Sequence, residues 1–271
     1  MVQKANTIEE LLQDCPVNSV IGDNLIRAWS KINSPKYKKA LCAISGGSDS
    51  DVMLDIVYKS DKNNNVDYIW YDTGLEYQAT KDHLEYLKEK YNIDIKVVKA
   101  IKPIPMVCKQ YGQPFLSKRV SNYISRLQRH NFRWEDEDFD TLYKKYPKCK
   151  TALKWWCNAN GEKSSFNIDR NKYLKEFIIS NPPTFNISFA CCEYSKKKPA
   201  KDYIKNNHYR LNITGLRKAE GGLRATAYKS CFSENDNSGH DEYRPLFWYK
   251  DSDKIDYENA YDIEHSKCYT E

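Results

Sequence analysis

The sequence predicts an α/β protein: a parallel sheet with crossover helices, interrupted by a mostly helical insertion. Three observations predict it. The apolar run Ala40-Leu41-Cys42-Ala43-Ile44 leads into a turn rich in glycine and hydroxyls, Ser45-Gly46-Gly47-Ser48-Asp49-Ser50, and then into the helical pattern Asp51–Val57. Strand and helix patterns keep alternating up to Lys99, as in parallel sheets joined by crossover helices. From Pro103 the alternation stops, and a clear amphipathic helix over Ser117–His130 takes its place.

Taken in order, residues 7–32 read as a helix pair. Thr7 caps the first helix, Glu10 completes a capping box, and Pro16 splits the segment. The first strand covers 39–44 and the helix after it 50–60. A second strand covers 66–71. A helix covers 80–91, with Leu84 and Leu87 on one face, and a third strand covers 93–99. Pro103, Pro105 and Pro114 then break the chain. In the amphipathic helix Val120, Tyr123, Ile124 and Leu127 share a face, with Lys118, Arg119, Asn122, Arg126 and Arg129 largely opposite. An acidic loop or helix start covers 135–140, and a helix covers 172–179. Pro199 suits the first turn of a helix ending at Asn206. A fourth strand covers 209–214, and a helix over 256–263 lies in an acidic tail.

The expected organisation is 1–102 for the N-terminal helices and the loop-bearing half of the core. Residues 103–190 form the helical insertion, and 191–271 the rest of the core with the tail. Ligands bind at the carboxyl ends of strands in such sheets. Ser45–Ser50, Asp72–Glu76 and Gly215–Arg224 are therefore expected to line one crevice. The insertion is expected to act as a lid that controls substrate choice.

A chain of 271 residues suits one domain, or one domain with a large insertion. No apolar run approaches a membrane span, and the N-terminus lacks a signal-peptide core, so a cytoplasmic protein with no membrane partner is expected. Nine irregularly spaced cysteines read as thiols or metal ligands, not as a disulfide framework. The net charge of +6 is unevenly spread: residues 102–134 carry seven Lys/Arg and no acid, 191–230 ten against three, and 233–271 four against eleven. The two basic stretches suit either a nucleic acid (tRNA or DNA) or a cleft for one nucleotide. Trp155, Trp156, Tyr123, Phe132 and Trp134 lie among basic residues, where they could stack on single-stranded nucleic acid or pack the insertion.

The loop is the centre of the chemistry. Glycines let the backbone approach an anion, and the helix start offers free N–H groups and a positive dipole end. The hydroxyls of Ser45, Ser48 and Ser50 add donors. The Walker pattern is absent. Asp49 reads as a Mg²⁺ ligand or a helix cap, and Asp72 the same way. Arg217 and Arg224 offer the fork that grips phosphate or sulfate, with a salt bridge to Glu220 as the alternative for Arg217. The five histidines show no metal-ligand spacing.

These segments resemble a known family. Ser45–Ser50 resembles the SGGxDS signature of the PP-loop ATP pyrophosphatases. The segment Tyr71–Tyr77, with Asp72, Thr73 and Gly74, resembles the DTG segment of the phosphoadenosine phosphosulfate (PAPS) reductase branch. Ile213–Glu220, with Gly215, Arg217 and Arg224, resembles that branch's G-x-R strand end, and Arg244–Trp248 its P-L-x-x-W tail. The four occur in family order over roughly residues 40 to 260. The resemblance implies an adenine-nucleotide α-hydrolase-like (Rossmann-like) core. It implies ATP, or a PAPS-like nucleotide, with Mg²⁺, and catalysis involving Asp49, Ser50 and Arg217. It also implies adenylation of an acceptor with pyrophosphate release, in sulfur transfer to nucleic acid or a small molecule, with a sulfur-donor protein as a further partner.

Cys191-Cys192 resembles the paired cysteines that hold an iron–sulfur cluster in adenylylsulfate reductases, which add a later C-x-x-C. No C-x-x-C occurs here. Cys231 and Cys268, with Cys157 in reserve, are the candidates to complete a [4Fe–4S] site, and spectator thiols are the alternative. The reductases' Cys-bearing C-terminal motif is also missing, with Cys268 its positional substitute. Reduction of PAPS or adenylylsulfate is the second reading of function, and nucleotide binding without turnover the third.

Overall fold

The computed structural model describes residues 2–221, 226–234 and 239–269. The chain divides into two compact units, Met1–Ala100 with Lys198–Glu271, and Ile101–Lys197.

The first unit opens with α1 (Ile8–Leu12) and α2 (Ser19–Ile32). Thr7 caps α1, accepting from Glu10 N at 3.2 Å, but the returning Glu10 carboxylate takes Asn6 N instead of Thr7 N. Asn18 caps α2 by accepting from the amides of Val20 and Ile21, a contact of about 1 kcal/mol. Ile21, Leu25, Ala28 and Ile32 form the buried stripe of α2. Then follow β1 (Ala40–Ile44), α3 (Ser48–Ser60), β2 (Val66–Asp72), α4 (Gln78–Tyr91) and β3 (Ile95–Lys99).

The second unit holds α5 (Ile104–Tyr111), α6 (Lys118–Arg129), α7 (Phe139–Lys145), α8 (Lys150–Trp156), α9 (Leu174–Ser180) and the short α10 (Ala190–Cys192). The expected break at Pro103 and Pro105 is instead the start of α5, because a proline in the first turn removes no helical hydrogen bond. The apolar face of α6 is buried as its spacing predicts. It packs on Trp155, Trp156 and Phe132. That burial decides between the two readings of these aromatics: Trp155, Trp156, Tyr123 and Phe132 are at most 8 % exposed and pack the unit's core.

The chain returns to the first unit with α11 (Lys198–Asn206), β4 (Leu211–Ile213), β5 (Phe232–Ser233), β6 (Asp241–Tyr243) and α12 (Asp251–Tyr261). The strands form one sheet in the order β3-β2-β1-β4-β6-β5, parallel except for β5. Side chains alternate between the faces. Ala40, Cys42 and Ile44 join the larger core under α2 and α3, while Leu41 meets Ile69, Ile204 and Tyr209 on the other side. The chain leaves β1 towards β2 on one side and returns as β4 on the other. The gap between the ends of β1 and β4 is thus a topological switch point, where such sheets bind ligands.

Helix α3 is buried nearly all round, so its two inward carboxylates need partners. Asp55 takes Lys59 at 2.7 Å and the hydroxyls of Tyr91 and Tyr257 at 3.0 and 2.6 Å. Asp51 is paired with two histidines, as described below.

Candidate phosphate site at the switch point

The loop after β1 makes its turn at Gly46, whose φ is +70°; a Cβ there would lie 2.9 Å from the Thr80 methyl. Gly47 is the N-cap of α3 and has no side chain to occupy the helix amides. The Ser50 hydroxyl accepts from Ser45 N at 2.9 Å, and Ser45 Oγ accepts from Gly47 N at 3.3 Å. These hydroxyls hold the shape of the loop. Ser50 is only 5 % exposed.

Beside the loop, the segment after β4 passes so close to α3 that a Cβ on Gly215 would lie 3.3 Å from the Asp49 carbonyl oxygen. This approach carries Arg217 to Asp49, with Nε 3.0 Å from Oδ2. Arg217 also donates to Asp251 at 2.7 Å. Burial alone would lower the guanidinium's pKa, but Asp251 and Asp49 raise it above its ordinary value. The backbone N–H of Arg217 donates to the Glu220 carboxylate at 3.0 Å. Arg224 lies outside the described residues.

A second cation comes from a helix the sequence placed too late. Helix α12 starts at Asp251, after a cap in which Lys250 N donates to Asp253. The early start puts Lys254 at the loop. Its ammonium donates to Ser48 Oγ at 2.7 Å and lies 3.1 Å from Asp49 Oδ1 and 3.3 Å from Glu258. No motif singled out Lys254. The only signal was its place within a predicted acidic tail, where a cation needs a reason.

Behind the loop, Asp51 is 1 % exposed. His83 Nε2 lies 3.0 Å from its Oδ1, and His265 Nδ1 lies 2.9 Å from its Oδ2. The other nitrogen of His265 meets Glu258 at 2.9 Å. The Asp51 contact raises the His265 imidazole above its ordinary value, against a smaller opposing effect of burial. The residues after His265 fold back along α4: Ser266 Oγ donates to Ala79 O at 3.1 Å, and Cys268 Sγ lies 3.8 Å from Thr80 Oγ1. A Cβ on Gly47 would lie 3.0 Å from the Tyr269 hydroxyl.

Asp72 and Thr73 are engaged in their own turn. Asp72 Oδ1 accepts from Gly74 N at 2.8 Å, and the Thr73 hydroxyl donates to Glu76 at 2.6 Å. Burial opposes ionisation of Glu76, yet the bonds from Thr73 hold its carboxyl below the usual value.

The residues do not fit a resident Mg²⁺, since both oxygens of Asp49 already face cations. Mg²⁺ at such sites arrives with substrate phosphates. Among the described residues, no group of three or more His, Cys, Asp or Glu is arranged to hold a metal. Cys191 and Cys192 belong to the second unit, Cys231 and Cys268 to the first. Either pair alone supplies two of the four thiolates of a [4Fe–4S] cluster. Cys42 is fully buried in the core.

The loop thus places a helix N-terminus at the switch point of a parallel sheet, approached by two cations and with no Walker lysine. Residues 39–155 match the model of the phosphoadenosine phosphosulfate reductase domain family. An uncharacterized protein of Methanocaldococcus jannaschii is 29 % identical over 159 residues, 57 % of this chain and 30 % of that protein. The chain thus spans about a third of the curated relative it matches. Among solved structures, a PAPS reductase from Candida auris in a phosphate complex is similar over 100 % of this chain and 93 % of its own, at 14 % identity and a TM-score of 0.47. The U34-tRNA thiolase NcsA from Methanococcus maripaludis, with its [4Fe–4S] cluster, is similar over 92 % of this chain and 65 % of its own, at 13 % identity and a TM-score of 0.44. No helix among the described residues is long and apolar enough to cross a membrane.

Proposed function

We propose that the protein splits ATP between its α and β phosphates, transferring adenylate to an acceptor in a sulfur-transfer reaction. The observation that carries this reading is the convergence of Arg217 and Lys254 on Asp49 in the first turn of α3. Both cations lie where a pyrophosphate on the helix amides would develop charge. The acceptor nucleophile attacks the α phosphorus in line, the bond to the bridging oxygen breaks, and its electron pair leaves with pyrophosphate. Arg217 and Lys254 turn from Asp49 to that leaving group, and the loop amides of Gly47 and its neighbours hold it. Mg²⁺ carried in on the phosphates would add charge neutralisation there. The protein's own task is mainly positioning and electrostatic stabilisation. The test is product analysis with ATP. AMP or adenylated acceptor with pyrophosphate supports the reading, and ADP with phosphate rejects it.

A second reading, reduction of PAPS, is favoured by one observation: the exposed Cys268 thiol lies beside Thr80, which flanks Gly46 of the loop. Its thiolate would attack the sulfonate sulfur and expel adenosine bisphosphate. An external thiol would then displace sulfite from Cys268 and leave a disulfide. Thiol-dependent sulfite release from PAPS, lost in Cys268→Ser, is the measurement that separates the two.

A further inference from the structure

The helical unit holds a cleft of about 420 Å³ that the phosphate site does not use, lined by Tyr111, Arg129, Phe189 and Tyr194 among others. It is a built feature. Gly112 adopts φ +105°, and a Cβ there would lie 2.3 Å from Asn186 O. That approach lets Gln113 pair with the 186–188 segment through Gln113 N to Asn186 O and Ser188 N to Gln113 O, both at 2.9 Å. From α6, the Gln128 amide clamps the same segment, donating to Phe185 O and accepting from Ile187 N at 2.8 Å each. One wall is therefore fixed from two sides before any ligand arrives, which lowers the ordering cost of binding.

On the other side Tyr111 and Tyr194 stack with centroids 5.0 Å apart and share a hydroxyl contact of 3.0 Å. Lys102 Nζ lies 5.5 Å from both rings. Arg129 is exposed at the cleft. The stretch 102–134 that contributes Lys102, Tyr111 and Arg129 contains seven Lys/Arg and no acid. One carboxylate, Glu193, lines the cleft, with Lys197 3.9 Å away. The unit's acidic run is occupied elsewhere, Glu135 and Glu137 with Lys145 and Asp136 with Lys175.

We propose that this cleft takes an unpaired nucleotide of a single-stranded nucleic acid. The base would stack against the tyrosine pair, and Lys102, Arg129 and the basic face of α6 would follow the phosphates. Aromatic rings beside cations bind single strands with little sequence preference. This names the acceptor class in the proposed function and rests on that reading. Its test needs neither ATP nor turnover, so each can fail without the other.

The experiment is fluorescence polarisation of the full chain with labelled oligo(dT) and oligo(U) of about 12 nucleotides, beside a duplex of equal length. Either strand should bind more tightly than the duplex. Tyr111→Ala should weaken binding by about 5- to 150-fold, the span for losing one stacked base. Tyr111→Phe, which keeps the ring, should bind within a few-fold of the parent. Arg129→Gln and Lys102→Gln should each lower the slope of log affinity against log salt by about 0.7. Should Tyr111→Ala fail to fold, the two cation variants, both at accessible side chains, decide the matter. No strand binding, equal binding of duplex, or salt slopes unchanged by both cation variants would overturn the proposal.

Discussion

The ammonium of Lys254 donates to the Ser48 hydroxyl at 2.7 Å across 206 positions of sequence. That one contact ties the acidic C-terminal helix to the glycine loop. It makes Lys254, with Arg217, one of two cations gripping Asp49 from separate elements. The loop amides alone would bind an anion. Under the proposed function, the two cations would serve a polyanion whose charge grows as a bond breaks.

Replacing Lys254 with Met should therefore cut pyrophosphate release by about 10²- to 10³-fold, the usual loss on removing one preorganised group from a developing charge. The side chain is 13 % exposed, and without it Asp49 keeps Arg217 and Glu258 keeps His265, so the melting temperature should change little. Turnover assays and a thermal melt on the same preparation check both halves.

Gly46→Ala should destabilise the fold and the loop together. A non-glycine residue in the left-handed region costs about 1–2 kcal/mol. The new methyl also meets Thr80 Cγ2 at 2.9 Å. The melting temperature should fall by about 2–8 °C, at 2–4 °C per kcal/mol. Adding Thr80→Ser, which deletes the obstructing methyl, should recover part of the loss.

Much of this arrangement was legible in the sequence, and the reasons are local. Gly46 and Gly47 after an apolar run announce a strand, a turn and a helix start, and β1, α3, β2, α4 and β3 follow that pattern to within two residues. The near edge of the site was legible too, since Arg217 sits where a strand end should place it. What could not be read depends on contacts distant in sequence. Strand β6 is three residues long and begins with two acids, tolerated because Asp241 accepts from Tyr37 at 2.5 Å and pairs with Lys36 at 2.7 Å. The aromatic cluster around Trp155 leans towards core in the sequence, and only α6 closing over it decides the matter. His83 and His265, lacking any shared spacing, meet only because Asp51 faces inward from a buried helix.

The His265 contact makes a pH-dependent prediction. Its folded pKa is raised by Asp51, with Glu258 adding to the effect. Those two carboxylates face it, with His83 across Asp51 and Lys254 on Glu258. The stabilisation is fully present below the unfolded value of about 6.5 and is lost as pH rises through the raised folded value. His265→Asn should thus lower the melting temperature by about 2–4 °C in mild acid, with a smaller effect in alkaline buffer. Melts of both proteins across that range give the comparison; a loss that grows with pH would contradict the assignment.

Arg217→Lys should behave as a loss and not as a conservative change. A lysine cannot span Asp49 and Asp251 with a planar fork. Nucleotide affinity should fall about tenfold, the equivalent of one charged hydrogen bond, and titration of ATP into each protein reads it directly.

The most direct test of the central claim is the product of ATP turnover by the intact chain, measured beside Arg217→Ala and Lys254→Met. The account predicts pyrophosphate with AMP or an adenylated acceptor from the parent protein, sharply reduced in both variants. Formation of ADP and phosphate, or pyrophosphate release untouched by either substitution, would contradict it.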